Sequence, residues 1–258
     1  MMSPLARYGR EGKKIPFFPL FDSHSHVGRW NIFDAYDLKD QIAEMDRLGV
    51  RVSAISSLVA LSGEIRRGND VVAAALKAYP GRFLGYAHIS ANYPDDILPE
   101  LKRCFAVKGF KGIKVYQTGI PYSDPLFKPV WKFAEEHAVP VLAHTWAATL
   151  AGFDKVAKAH PDIPFLVAHA GSDWTYKAYG EAARRTKNLY LDLTYSRDHV
   201  GLIEHFVETV GASRLVWGAD VPLLSMSQQV GKILFARISD KDKKRILWDN
   251  GARIFGSE

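Results

Sequence analysis

The sequence contains a single cysteine, Cys104, and lacks any long apolar run. One cysteine cannot form an internal disulfide, so a disulfide-stapled scaffold is excluded and a reducing, cytoplasmic compartment is expected. No stretch approaches the roughly 18 apolar residues that a membrane span needs. The first residues also lack the apolar core of a secretory signal. We therefore expect neither a membrane protein nor a secreted one.

The excess of positive charge is small. The chain of 258 residues has 34 Lys and Arg against 28 Asp and Glu, with 47% apolar and 24% charged residues. This composition is typical of a soluble globular protein and excludes a disordered chain. Residues 1–19 are predicted to be a solvated basic leader, followed by one catalytic domain over residues 20–258. A nucleic-acid partner is not expected from so mild a charge.

Eight short segments bounded by turn signals are predicted to be strands, and most of them are almost continuously apolar and end on a polar residue. That pattern is typical of a parallel sheet that is buried on both faces. The segments are Leu20–His26, Val52–Ser57, Phe83–His88, Gly112–Tyr116, Pro140–Thr145, Phe165–His169, Leu189–Thr194 and Leu215–Asp220.

Amphipathic helix patterns lie between these segments, for example Leu38, Ile42, Met45 and Leu48 before Gly49. His24 and Asp220 are 196 residues apart, and seven βα units of 28 residues each account for this separation. The sequence therefore predicts an α/β fold, a single (β/α)8 TIM barrel. A doubly wound open sheet is the main alternative, but no glycine-rich phosphate loop follows the first strand.

Potential metal ligands stand at the ends of four predicted strands. In a barrel of this kind the active site lies at the C-terminal ends of the strands. His24 and His26 alternate on the first strand, so their side chains point to the same face. His144, His169 and Asp220 end the fifth, sixth and eighth strands. Each could singly be a core histidine or a helix cap, but together they predict a metal site.

Five further polar residues at or just beyond strand ends are predicted to bind substrate. His88 ends the third strand, and Lys114 and Tyr116 end the fourth with the same parity. Trp146 and Arg197 follow the fifth and seventh strands. The residue types alone leave core packing or surface exposure open for His88, Tyr116, Trp146 and Arg197.

These motifs resemble the amidohydrolase superfamily, and within it the amidohydrolase-related ("amidohydrolase 2", aminocarboxymuconate-semialdehyde decarboxylase-like) branch. The resemblance covers about Phe21–Gly256, nearly the whole chain. It is carried by the strand-end ligands and by the segments Asp22–His26, Gly109–Lys114, Asp124–Phe127, Pro140–Thr145 and Ile246–Gly256.

The resemblance implies one divalent metal, with zinc expected first and manganese, iron or cobalt as alternatives. The residues that match the family's ligands are His24, His26, His144 and Asp220, with His169 beside them. A second metal is implied only if Lys114 is carboxylated. The resemblance also implies a small-molecule partner and suggests a homodimer.

Three functions remain open from the sequence. The first is metal-dependent hydrolysis of a C–O or C–N bond in a lactone, ester or amide that carries a carboxylate. In that hypothesis Asp220 takes the proton of a metal-activated water and His169 stabilises the developing charge. The alternative is a decarboxylase that uses the same site. The third is a metal-holding barrel that binds without catalysis.

Two supporting roles complete these hypotheses. Asp22 lies two residues before His24 and is expected to fix the orientation of its ring. Lys114 and Arg197 are expected to hold a substrate carboxylate.

Overall fold

The computed structural model describes residues 3–30, 36–116, 119–145, 150, 152–172, 175–195 and 200–257. Eight parallel strands form one sheet in the order of the sequence. They are β1 (Leu20–Val27), β2 (Val50–Ser57), β3 (Phe83–Ile89), β4 (Phe110–Val115), β5 (Val141–Ala143), β6 (Phe165–Val167), β7 (Leu189–Asp192) and β8 (Leu215–Val216).

Backbone hydrogen bonds between the first strand and the end of the last close the sheet into a barrel. The Ser23 amide donates to the Trp217 carbonyl over 2.9 Å, and the Asp220 amide donates to the His24 carbonyl over 2.8 Å. The predicted single (β/α)8 TIM barrel is thus confirmed.

Strands β5 to β8 end earlier than predicted, before the polar residues that were expected to finish them. His169, Tyr195 and Asp220 have φ angles of 61°, 63° and 57°. This left-handed conformation cannot continue a strand and is costly for residues other than glycine. The backbone therefore turns at these positions, at the end of the barrel where the candidate ligands lie.

Helices surround the barrel and connect its strands. Their bounds are Pro4–Arg10, Leu38–Leu48, Leu58–Leu61, Ile65–Ala78, Ile97–Phe105, Lys128–Glu136, Phe153–Ala159, Tyr176–Arg185, Leu202–Val210, Met226–Phe235, Asp240–Lys244 and Asn250–Phe255. The predicted stop at Gly49 is confirmed, since its φ is 80° and its amide donates to the Met45 carbonyl. Among the described residues, no helix has the length and apolar character that crossing a membrane would require.

The final helix, Asn250–Phe255, covers the end of the barrel opposite the candidate ligands. Phe255 stacks on Phe21 with ring centroids 5.3 Å apart and meets Tyr86 edge-on at 5.6 Å. These rings belong to an apolar cluster inside the barrel that also contains Leu142, Leu166 and Val216. Because packed side chains fill this end of the barrel, the opposite end, where the candidate ligands lie, is the one that can hold an active site.

The predicted leader is not solvated throughout. Its helix Pro4–Arg10 buries Leu5, and the following segment buries Ile15. The Lys243 ammonium donates to Ser3 Oγ over 2.8 Å, so the leader is bound to the C-terminal helices. Burial of these apolar side chains outweighs the basic character that suggested a solvated segment. The boundary at residue 19 stays a prediction.

Candidate metal centre

Three of the predicted ligands lie close together at the end of the barrel opposite the final helix. The side-chain donor atoms of His24, His26 and Asp220 all lie within 4.8 Å of one another, and all three residues are buried. Asp220 Oδ1 lies 3.1 Å from His26 Nε2 and 3.9 Å from His24 Nε2. Two imidazoles and one carboxylate form a donor set that suits divalent first-row metals. The residues therefore fit a divalent metal site.

The second nitrogen of each imidazole is held by a partner behind the cluster. His24 Nδ1 lies 2.7 Å from Asp192 Oδ2, and His26 Nδ1 lies 3.0 Å from Ser56 Oγ. Hydrogen bonds of this kind fix the tautomer and the ring orientation of a metal ligand. In both rings they leave Nε2 directed at Asp220.

The protonation states match those of metal ligands. Burial, together with the nearby Lys114, lowers the pKa of His24 well below its ordinary value, so the ring is neutral. Burial alone would raise the pKa of Asp220, but the hydrogen bond with His26 and the neighbouring His24 outweigh it and lower that pKa. Asp220 is therefore ionised. Neutral imidazole and ionised carboxylate are the forms that bind metals.

Asp192 is the functional residue that the sequence analysis missed. Its second oxygen accepts hydrogen bonds from the Thr194 amide (3.0 Å) and from Thr194 Oγ1 (2.6 Å), so both oxygens are engaged. It is fully buried, and burial raises its pKa while the Thr194 hydrogen bonds oppose that shift. Its place as the last residue of β7 is a signal that could have identified it, because the active site of a barrel lies at the strand ends.

Asp22 binds main chain rather than the His24 ring. Its carboxylate accepts from the amides of His24 (3.1 Å) and Ala219 (2.9 Å), and from the hydroxyls of Ser25 (2.5 Å) and Ser53 (2.6 Å). The expectation that Asp22 orients the imidazole directly is therefore wrong, because Asp192 occupies that position. Asp22 instead joins β1, β2 and the segment after β8, which carry the ligands.

Lys114 lies closer to the ligands than the sequence suggested. Its Nζ is 3.2 Å from His24 Nε2, and the side chain is fully buried. Burial lowers the pKa of Lys114 to about 8, although Asp220 and Asp192 oppose the shift. Tyr116 from the same strand places its ring 4.4 Å from the ring of His144. His88, on the neighbouring strand, pairs with Lys114 in the β3–β4 register.

His144 and His169 form a pair beside the cluster. Nε2 of His169 lies 3.2 Å from Nδ1 of His144, and the His169 ring lies 5.2 Å from the His24 ring. Within the described part of the chain, the three-residue cluster does not include His144. Its assignment as fourth ligand stays a prediction, as do the substrate roles. Trp146 and Arg197 lie outside the described residues.

We expect Asp192→Asn to weaken metal binding by about 10- to 100-fold, the usual cost of losing a partner behind a ligating histidine. Asp192 accepts hydrogen bonds on both oxygens, whereas an amide has only one acceptor oxygen. Either His24 or Thr194 must then face an NH2 group. Titration with Mn2+ followed by electron paramagnetic resonance measures the affinity. Asp162→Asn, an exposed site before β6, is the matched control. Equal affinity of both variants and the parent would contradict the assignment.

Comparison with known proteins places this geometry in a family. The amidohydrolase family model matches residues 21–257. The chain is 23% identical to the gamma-resorcylate decarboxylase of Rhizobium radiobacter in an alignment that covers 88% of this chain and 86% of that protein.

Solved structures share the fold. The 2,6-dihydroxybenzoate decarboxylase from Rhizobium superposes with a TM-score of 0.77 at 18% identity, covering 92% of this chain and 98% of the other. The 5-carboxyvanillate decarboxylase from Novosphingobium aromaticivorans, solved with manganese, gives 0.75 at 16% identity, covering 95% and 98%. With a family match over almost its whole length, the chain belongs to the amidohydrolase family, whose members are enzymes.

Proposed function

We propose that this protein is a metal-dependent decarboxylase of small aromatic carboxylates. The observation that carries the proposal is the similarity to gamma-resorcylate decarboxylases along 88% of the chain. The ligand cluster by itself fits hydrolysis equally well. The order of the two hypotheses from the sequence is therefore reversed, and hydrolysis of a lactone, ester or amide becomes the second candidate.

We assign one divalent metal to His24, His26 and Asp220, with manganese ahead of zinc. The donor set suits either ion, and the similar 5-carboxyvanillate decarboxylase was solved with manganese. When bound, the metal supplies positive charge that binds the substrate carboxylate and stabilises negative charge that develops in the reaction.

The state of Asp220 matches the binding of a cation. The hydrogen bond with His26 and the neighbouring His24 hold the pKa of Asp220 below its usual range against the effect of burial. Asp220 is therefore ionised, the form that binds a metal. This state is common to decarboxylation and hydrolysis, so the preference for decarboxylation comes from the similarity to the decarboxylases.

Decarboxylation needs a proton on the carbon that loses the carboxylate. The C–C bond breaks, CO2 leaves, and the electron pair stays on the substrate carbon, which then takes up a proton. We assign this transfer to His169, whose ring lies 5.2 Å from that of His24. Its 3.2 Å hydrogen bond with His144 provides a path by which the ring is reprotonated. Lys114, buried beside His24, is suited to hold the substrate carboxylate.

The test is a product assay on the protein loaded with Mn2+ and given 2,6-dihydroxybenzoate. We expect CO2 and resorcinol in equal amounts, loss of turnover on chelation, and recovery when Mn2+ is restored. A panel of lactones, esters and amides runs in parallel. Cleavage of that panel without CO2 release would instead support hydrolysis. Metal binding with no turnover of any compound would support a non-catalytic barrel.

The homodimer suggested by the sequence stays a prediction.

A further inference from the structure

His88 is a buried imidazole that the mechanism above does not use. It lies at the end of β3 and is 2% exposed. Within the described part of the chain, its Nδ1 has no hydrogen-bond partner. Buried polar atoms without partners reduce stability and are uncommon in folded proteins. One that persists beside a candidate active site indicates a function that offsets this cost.

The backbone of His88 is held by a buried polar network. Asn69 Oδ1 accepts from the His88 amide over 2.8 Å, and Asn69 Nδ2 donates to the His88 carbonyl over 2.9 Å. Asn69 Nδ2 also donates to Glu100 Oε1 over 2.8 Å, and Arg103 binds Glu100 in turn. Asn69 is fully buried. The position of His88 is therefore preorganised, whereas Nδ1 of its ring has no partner among the described residues.

Lys114 lies opposite His88 in the β3–β4 register, and the charges of Lys114 and His26 both act on the His88 ring. Burial, with these two residues, lowers the pKa of His88 to about 3, so the ring stays neutral at working pH. A neutral imidazole offers one N–H donor and one acceptor nitrogen. It therefore matches a hydroxyl group, which can accept from or donate to it, and does not compete with Lys114 for a carboxylate.

The two strands thus present different chemistry to a substrate. His88 and Lys114 are paired in the β3–β4 register, and Lys114 Nζ reaches His24 Nε2. A carboxylate bound at Lys114 and the ligand cluster would have the neutral His88 ring close to its neighbouring substituents. The pairing of a cationic with a neutral polar side chain is complementary to a hydroxy acid.

We propose that His88 contacts the substrate and selects carboxylates that carry a hydroxyl group close to the carboxylate. This inference rests on the proposed function only in placing a substrate carboxylate at the ligand cluster. It assigns to the site a preference for hydroxylated over plain aromatic acids.

The experiment measures binding, so that it does not depend on turnover. Dissociation constants of 2-hydroxybenzoate and benzoate are determined by calorimetry for the Mn2+-loaded parent, His88→Phe and His88→Gln. We expect the parent to prefer 2-hydroxybenzoate by at least about 10-fold. In His88→Phe the two constants should agree within about twofold, with that of benzoate unchanged. His88→Gln, which keeps a hydrogen-bonding group, should retain part of the preference.

Stability and a matched control separate this role from a structural one. Because Nδ1 has no partner to lose, the thermal midpoint of His88→Phe should equal or exceed that of the parent. His137→Phe, an exposed site before β5, should change neither constant. Equal weakening of both acids in His88→Phe, or an unchanged preference, would overturn the inference, as would a parent that binds neither acid.

The outcome for decarboxylation is independent of this result. If the preference depends on His88 but no CO2 is released, the role of His88 is supported and the proposed decarboxylation is refuted. If CO2 is released but His88→Phe keeps the preference, decarboxylation is supported and the role of His88 is refuted.

Discussion

Asp220→Asn is expected to abolish the proposed decarboxylation, with a loss of at least about 10³-fold, and to prevent stable metal binding. The substitution removes the negative charge of the only carboxylate in the three-residue cluster. Losing a partner behind a ligand already costs about 10- to 100-fold, so losing the ligand itself should cost more. Turnover of 2,6-dihydroxybenzoate and the metal content of the purified protein are the measurements.

Asparagine is the informative replacement because of the backbone at this position. Asp220 has a φ of 57°, a conformation that asparagine tolerates well and that alanine adopts at a cost of about 1–2 kcal/mol. Asp220→Asn should therefore keep the fold, which circular dichroism can check. Asp162→Asn again serves as the control. A metal-free Asp220→Asn protein that retained activity would remove the metal from the mechanism.

Gly218→Ala is expected to lower the free energy of unfolding by about 1–3 kcal/mol, the usual cost of overpacking, and to weaken Mn2+ binding. A Cβ atom at Gly218 would overlap Thr194 Oγ1, lie 2.6 Å from His24 Cβ and lie 3.2 Å from Asp192 Oδ1. Thr194 and Asp192 hold the His24 ring in its orientation, so any shift that relieves the overlap must displace that ring. Denaturant unfolding and metal titration measure the two effects.

Gly231→Ala provides the opposite case in the same chain. Gly231 lies inside the helix Met226–Phe235, and among the described residues a Cβ there would meet no heavy atom within 4 Å beyond the adjacent backbone of its own helix. Alanine in a helix interior is favoured over glycine by about 0.5–1 kcal/mol, so this variant should be more stable and bind metal normally. If Gly218→Ala behaved like Gly231→Ala, the close packing around His24 would be refuted.

Much of the fold could be predicted because its signals are local. Most strands are short apolar segments, and the amphipathic helices repeat apolar residues at 3–4 spacing, as between Leu38 and Leu48. The alternation of side chains along β1 correctly placed His24 and His26 on one face. The ends of β6 to β8 were misjudged because left-handed residues such as His169 and Asp220 carry no sequence signal unless they are glycine.

The candidate site was predicted only where a strand end and a residue type coincided. His24, His26 and Asp220 come together as expected. The partner of the His24 ring could not be derived from sequence neighbours: Asp22 was expected, whereas the partner is Asp192, 168 positions from His24. The comparisons favour decarboxylation over the hydrolysis placed first. Zinc is not confirmed, because metals with similar ligand preferences share one donor set.

The amino-acid sequence by itself determined the (β/α)8 architecture, the convergence of His24, His26 and Asp220 at one end of the barrel and the membership of the amidohydrolase family. Only the tertiary structure decided that Asp192 holds His24, that Lys114 lies 3.2 Å from a ligand nitrogen and that Nδ1 of His88 remains without a partner in the described chain. The physical reason is the separation along the chain between the residues that interact. Hydrophobic periodicity arises between residues a few positions apart, whereas these contacts exist only after barrel closure brings together side chains separated by much of the chain.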